Sequence, residues 1–395
     1  MEITSTRAGD HVFDLYGGVG LFAKRLLEVI GAGGRIDLIE GSKDAVRDAI
    51  LWLAVYYHKQ GKEFATREDK ESKKISQINF KKAADLYLRY IKEYPEKEDD
   101  YKAIFYFAES SYEIRKFKTA LEAYRLLKDY PLPIPGTFRA DAVFNIVFTY
   151  KNVIDQAIKK NKFKNIDFDN VTSKIVGKEQ EEIPTIGIDY INSIEEFLNV
   201  VPYDERASIL YFHAASIFYV YGHLEEAFKR FFVIINKYPQ SDAALVAARL
   251  LIDDAVSKED WNKVLELAKE FKQSDLGGQA SDFARIEGNA RFKIAKSVFE
   301  EAAKLFQDEK INDAKEKFRE SAKLYVELLN DDPKNPYADI MIFNTAQAIV
   351  RSGSSADALP YYRRLYKDYP QSQYASSARF QEAFLLEIGR AHVWT

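Results

Sequence analysis

Residues whose types and spacing suit chemistry are concentrated near the N-terminus. Gly17, Gly18 and Gly20 follow the strand-like run Val12–Tyr16 and precede an amphipathic stretch reaching about Ile30. A turn at Gly31–Gly34 leads into a second strand-like run, Arg35–Glu40, which puts Glu40 20 positions after Gly20. Glycines so placed let a backbone approach a nucleotide, and an acidic residue at that distance accepts hydrogen bonds from ribose hydroxyls. Other candidates are weaker. Asp167-Phe168-Asp169-Asn170 has the opening rhythm of a calcium loop, but the required glycine and closing glutamate are absent. The five histidines, His11, His58, His213, His223 and His392, form no i, i+4 pair and no H-E-x-x-H motif. His213 lies in an apolar helical stretch and reads as a packed side chain rather than a ligand. With no cysteine, disulfides, thiolate metal sites and cysteine nucleophiles are all excluded. No Walker A motif, G-x-S-x-G motif or aromatic-basic surface is found. Neither a metal nor a nucleic-acid partner is therefore expected.

The elements that must position any site are helical. Of the 395 residues, 47% are hydrophobic and 30% charged, with 27 Phe and 25 Tyr against 18 Gly and 11 Pro. Such a balance fits long helices packed through aromatic side chains. A net charge of −4, with the two signs interleaved, gives no strong pull on nucleic acid or an anionic membrane. No apolar run approaches the ~20 residues of a membrane span. The opening MEITSTRAGDHVFDLYGG has no basic start followed by an apolar stretch, so no secretory signal is visible.

Four segments repeat one pattern. They run from Ala83 to Pro95, Ala120 to Pro131, Ala227 to Pro239 and Ala358 to Pro370, with the small residue early, aromatics a turn later and Tyr-Pro at the end. The Ala-to-Pro distance is 12 in three of them and 11 in the second. Pro95 to Pro131 is 36 residues and Pro202 to Pro239 is 37, near the ~34-residue period of helix-turn-helix repeats. Ala108, Ala215 and Ala346 stand 12 residues before three of the small residues. Small side chains at both positions let two helix axes approach closely, and proline stops the second helix. On these residues the stretch 47–386 resembles tetratricopeptide (TPR) repeats, without their helix-A Trp or the Gly of their Leu-Gly pair. The resemblance implies an all-α fold, a right-handed α-solenoid of about seven helix pairs. The pairs expected are 47–62 with 78–94, 100–115 with 117–130, 138–160 with 185–200, 204–221 with 224–238, 241–256 with 260–272, 280–308 with 311–331, and 336–351 with 355–369. A last helix begins near 372. Polar inserts at 63–77 and 161–184 break the period. The first is read as a loop or helical extension, the second as a functional loop or locally disordered.

Both ends differ from the repeat. The wording DLYGGVGLFAKRL…IEGS, within residues 10–49, resembles motif I and the following acidic loop of class I S-adenosylmethionine-dependent methyltransferases, nearest the RNA uracil-5 enzymes. That resemblance implies Asp14, Gly18 and Gly20 facing the cofactor and Glu40 its ribose. A whole methyltransferase domain needs more strands, and the uracil-5 enzymes need a cysteine nucleophile. Residues 1–46 are thus expected to be a short β-α-β fragment without activity, and no cofactor is expected overall. The closing residues, EIGRAHVWT, show no helical periodicity and resemble the conceptual translation of a DNA sequencing adapter; an ordinary C-terminal tail is the blander reading. An artefact at Glu387–Thr395 makes the change of character at Val46–Ile50 readable as a chimeric join.

The expected function is a scaffold or adaptor that binds a protein or peptide along a concave groove lined by the first helix of each pair. Phrases such as YPQSQYASSARFQEA resemble TPR proteins of the bacterial cell envelope, which implies a periplasmic or envelope setting. Counting three before, one after and four after the small first-helix residues gives the groove positions. They are Phe105, Glu109 and Tyr112, then Phe212, Ser216 and Tyr219, then Phe343, Gln347 and Val350. Two other readings stay open: a methyltransferase carrying a helical substrate-binding extension, and a constitutive structural subunit of a large complex.

Overall fold

The computed structural model describes residues 11–14, 35–38, 43–95, 100–130, 135–168, 171–172, 179–333 and 335–391. Apart from two short strands, the described residues form an all-α protein. The strands β1 (His11–Asp14) and β2 (Arg35–Leu38) pair in parallel, with Asp14 opposite Leu38. Parallel neighbours require a crossover connection. The segment between them lies outside the described residues, together with Gly18, Gly20 and Glu40.

The chain divides into two compact units. The first, residues 1–167 with 181–221, holds the strands and, among the described residues, seven helices. These are α1 (Lys43–Ala65), α2 (Lys70–Glu93), α3 (Asp100–Glu113), α4 (Phe117–Lys128), α5 (Gly136–Lys159), α6 (Thr185–Val200) and α7 (Ala207–Val220). Each helix packs on the next in sequence, and the alternate helices α1, α3 and α5 also touch. The second unit, residues 168–180 with 222–395, holds α8 (Leu224–Lys237), α9 (Asp242–Ser257), α10 (Trp261–Gln273), α11 (Ala280–Gln307), α12 (Ile311–Asp331), α13 (Ala338–Arg351), α14 (Ser355–Asp368) and α15 (Ala375–Ala391). Its helices likewise pack in chain order.

Two local devices recur at the helix ends. After α3, α7, α9, α11 and α13 the chain turns through one residue with positive φ: Arg115 (60°), Gly222 (80°), Glu259 (53°), Glu309 (60°) and Gly353 (97°). At four of these the next two N–H groups close a Schellman pair. At Gly353, for example, Gly353 N donates to Val350 O (3.0 Å) and Ser354 N to Ile349 O (3.2 Å). The residue that follows is the N-cap of the next helix, with nearly constant dihedrals at four of the five, Lys116 (−83°, 61°), His223 (−82°, 64°), Asp260 (−79°, 73°) and Lys310 (−82°, 61°), while Ser354 lies at (−107°, 54°). The partner helices end differently. Tyr94, Val201, Tyr238, Asp332 and Tyr369 each precede a proline, adopt φ between −128° and −137°, and still donate N–H to the carbonyl four residues back. Proline's ring pushes the residue before it out of the α region, so the helix stops there.

Packing follows the spacing. Ala83, Ala108, Ala120, Ala215, Ala227, Ala346 and Ala358 are all 0% exposed, as small residues at crossings require. Gly61 on α1 serves the same purpose against α2: a Cβ there would stand 2.9 Å from the Phe80 ring. The polar insert 63–77 is mostly helical extension with a short turn at 66–69, since α1 runs to Ala65 and α2 begins at Lys70. An Asp69 side-chain cap on Ser72 N starts the second of these. The described parts of insert 161–184 are packed: Phe163, Ile166, Phe168, Val171 and Ile183 are all buried. At the C-terminal end, α15 continues through Ala391, so Glu387–Ala391 are helical despite their lack of apolar periodicity. Helix propagation from an established turn needs only adequate propensity, which Glu387, Ile388 and Arg390 supply.

Candidate functional site

The groove positions expected from the repeat separate into three environments. Phe212 (3%), Ser216 (0%) and Tyr219 (0%) on α7 are buried. That helix, ASILYFHAASIFYV, is apolar on nearly every side, and most of it is covered, although Ile209 is exposed. On α13, Phe343, Gln347 and Val350 are partly buried. The Phe343 ring stacks on Tyr374 with centroids 4.9 Å apart. On α3, Phe105 is buried against Phe138 and Tyr124, whereas Glu109 and Tyr112 line a cavity of about 200 Å³.

That cavity lies within the first unit and is built by alternate helices. Lys62 enters from α1, Glu109, Tyr112 and Glu113 from α3, and Phe148 and Thr149 from α5, with Tyr124 of α4 also in the lining. Of these only Glu109 and Tyr112 were marked by the sequence; Lys62, Glu113, Tyr124, Phe148 and Thr149 were not. The counting rule needs a small first-helix residue as anchor. The second helix of the third pair carries no alanine to set that anchor by the 12-residue spacing, so Phe148 had no signal. Glu113 falls five after Ala108, one position beyond the rule.

The floor of the site is a polar cluster under the cavity. His58 is 4% exposed, its Nδ1 3.0 Å from Ser110 Oγ and its Nε2 3.3 Å from a Glu109 carboxylate oxygen. The second contact is an ion-pair distance without hydrogen-bond alignment. Phe80, Tyr87 and Tyr106 enclose the imidazole at 5.1–6.2 Å between centroids. Serine, histidine and glutamate in this order have the composition of a charge relay, but Ser110 is 0% exposed, so no substrate carbonyl reaches its hydroxyl. The cluster fixes Glu109 instead. Burial raises the Glu109 carboxyl, yet His58 and Lys62, whose Nζ stands 3.3 Å away, outweigh burial and hold it below the usual carboxylate range.

Glu113, one turn further along α3, behaves in the opposite way. Burial, then the charge of Glu109, pushes its carboxyl above the usual range, and Lys62 and His58 only partly offset this. Above the carboxylates stand rings. Tyr112, pushed up to about 12 chiefly by burial, accepts a hydrogen bond from Asn152 Nδ2 at 2.8 Å. Its ring meets Phe148 at 5.6 Å. Phe148 is 48% exposed and lies nearly parallel to Phe144, 6.3 Å away, and Phe144 carries the Arg206 guanidinium 3.7 Å over its face. The site thus presents two carboxylates against one ammonium, beside an aromatic row open to solvent.

Two wider depressions are shallower in chemistry. One, of about 600 Å³ beside α4, is rimmed by solvent-exposed Arg115, Lys116 and Lys118. The other, of about 650 Å³ in the second unit, holds two ion pairs, Lys272 with Glu287 and Arg291 with Asp331, alongside Arg285 and Asp332. Among the described residues no His/Cys/Asp/Glu group is arranged to hold a metal, and no helix is long and apolar enough to cross a membrane. No protein-family model matches the chain, and neither does any curated protein.

Proposed function

We propose that the protein is a TPR-like adaptor whose helix pairs stack as a right-handed α-solenoid and bind protein or peptide segments along the face formed by the first helix of each pair. The carrying observation is the cavity lined by α1, α3 and α5: alternate helices converge there on desolvated charge and an open aromatic row. The regular alternation of positive-φ turns with helix ends before proline supports the repeat reading, because it gives each pair the same entry and exit. Aromatic rings left half-exposed beside buried polar groups are typical anchors for a partner. A bacterial envelope setting follows from sequence resemblance and is part of the same proposal.

The test is selection of a random peptide phage library on the full chain, followed by affinity measurements on single variants. Selected peptides should lose at least about 30-fold in affinity for Phe148→Ala, since anchor truncation costs ~2 kcal/mol or more. Melting of that variant should be little changed, because the ring is 48% exposed. Phe212→Ala should instead lower stability by ~3–5 kcal/mol, as expected of a buried ring. Failure to enrich any peptide, or peptides indifferent to Phe148, would end the adaptor reading.

A further inference from the structure

We infer that the cavity of the first unit receives one arginine side chain of a protein partner, its guanidinium held between the Glu113 carboxylate and the rings of Tyr112 and Phe148. This rests on the adaptor reading and specifies the chemistry of the partner.

Charge gives the first reason. Glu109 is already matched by Lys62, and His58 Nε2 stands 3.3 Å from it. Glu113 is not: among the described residues no cationic nitrogen lies within ion-pair distance of its carboxylate. A carboxylate partly withdrawn from water and lacking a cation is unfavourable until a cation arrives. The rings give the second reason. A guanidinium already rests on this aromatic row, where Arg206 stands 3.7 Å over Phe144. The neighbouring ring of the row, Phe148, is the one left open beside the cavity. Size gives the third. About 200 Å³ suits one long side chain, and is below the ~300–1,000 Å³ usual for small-molecule sites. Arginine fits better than lysine because its planar fork can hold the Glu113 carboxylate through two N–H groups while its face stacks on a ring.

Ligand-observed NMR titration of the full chain with three blocked tripeptides, Gly-Arg-Gly, Gly-Lys-Gly and Gly-citrulline-Gly, tests this. Citrulline keeps the shape of arginine and removes its charge. The arginine peptide should bind in saturable fashion, the lysine peptide more weakly, and the citrulline peptide not above background. Glu113→Gln should weaken the arginine peptide about tenfold, as loss of a charged hydrogen-bonding partner does. Lys62→Met, which removes the competing ammonium, should strengthen it. Because Lys62 is 56% exposed, that variant keeps the test informative should Glu113→Gln fold poorly. Equal binding of the citrulline peptide, or indifference to both substitutions, would overturn the assignment. If the arginine peptide fails while phage-selected peptides still bind through Phe148, the arginine assignment falls and the adaptor reading stands. If neither binds, both fall.

Discussion

A histidine kept from water makes a fold sensitive to acid, and His213 is such a residue. Its Nδ1 meets the Tyr190 hydroxyl at 2.9 Å, and burial, helped by Lys151 and opposed by Asp155, lowers its pKa from 6.5 to about 4. The folded pKa lies below the unfolded one, so protonation favours the unfolded chain. The stability is therefore complete above pH 6.5 and is lost as pH falls toward about 4. The shift of 6.5 − 4 = 2.5 corresponds to at most about 3 kcal/mol, since each pKa unit is ~1.4 kcal/mol. Urea unfolding of wild type and His213→Asn across that range should show the wild type losing the extra stability and the variant lacking that slope. Backbone strain offers a second residue-scale prediction. Glu309 holds φ at 60°, a conformation that costs an L-residue ~1–2 kcal/mol and costs glycine almost nothing. Set against glycine's greater unfolded entropy, Glu309→Gly should gain up to about 1 kcal/mol. Gly353→Ala, at φ 97°, should lose about that much or more. Chemical denaturation measures both.

At the scale of helices, much of the architecture was legible because it is written in single residues with strong steric meaning. Alanines that permit crossings and prolines that stop helices need no tertiary context, and Ala83, Ala120, Ala227 and Ala358 are all fully buried as their spacing required. Enlarging one should be costly. Ala120→Leu, between α4 and its neighbours, should cost ~1–3 kcal/mol by overpacking, read as a lower denaturation midpoint. Burial of particular faces was less legible. The counting rule placed Phe212 and Tyr219 on a groove, but α7 is apolar on nearly every side and these two rings are buried. The same rule found Glu109 and Tyr112 and missed Glu113 and Phe148, because exposure depends on which neighbours a helix meets and a single helix does not encode that. The tail beginning at Glu387 shows no helical periodicity, yet the helix runs on through Ala391. Helix continuation depends on propensity and on the preceding turn, whereas periodicity reports burial only.

For the molecule as a whole, the repeat proposal makes stability a sum of contacts between neighbours. Protection from hydrogen exchange should then be graded rather than uniform. The helix α15 leaves Phe380 66% and Phe384 48% exposed, so its amides should exchange before those of α13, whose Met341, Ile342 and Ala346 are buried. One cooperative opening of every helix would contradict this. The central claim is that partners meet the face lined by α1, α3 and α5, and site-specific photo-crosslinking tests it most directly. A benzoylphenylalanine is placed at Phe148, and separately at Leu126, which is 62% exposed on α4 and absent from the cavity lining. Illumination in cells should give discrete adducts with other proteins at position 148 and none at position 126. Adducts at 126 with none at 148, or none at either position, would contradict the account.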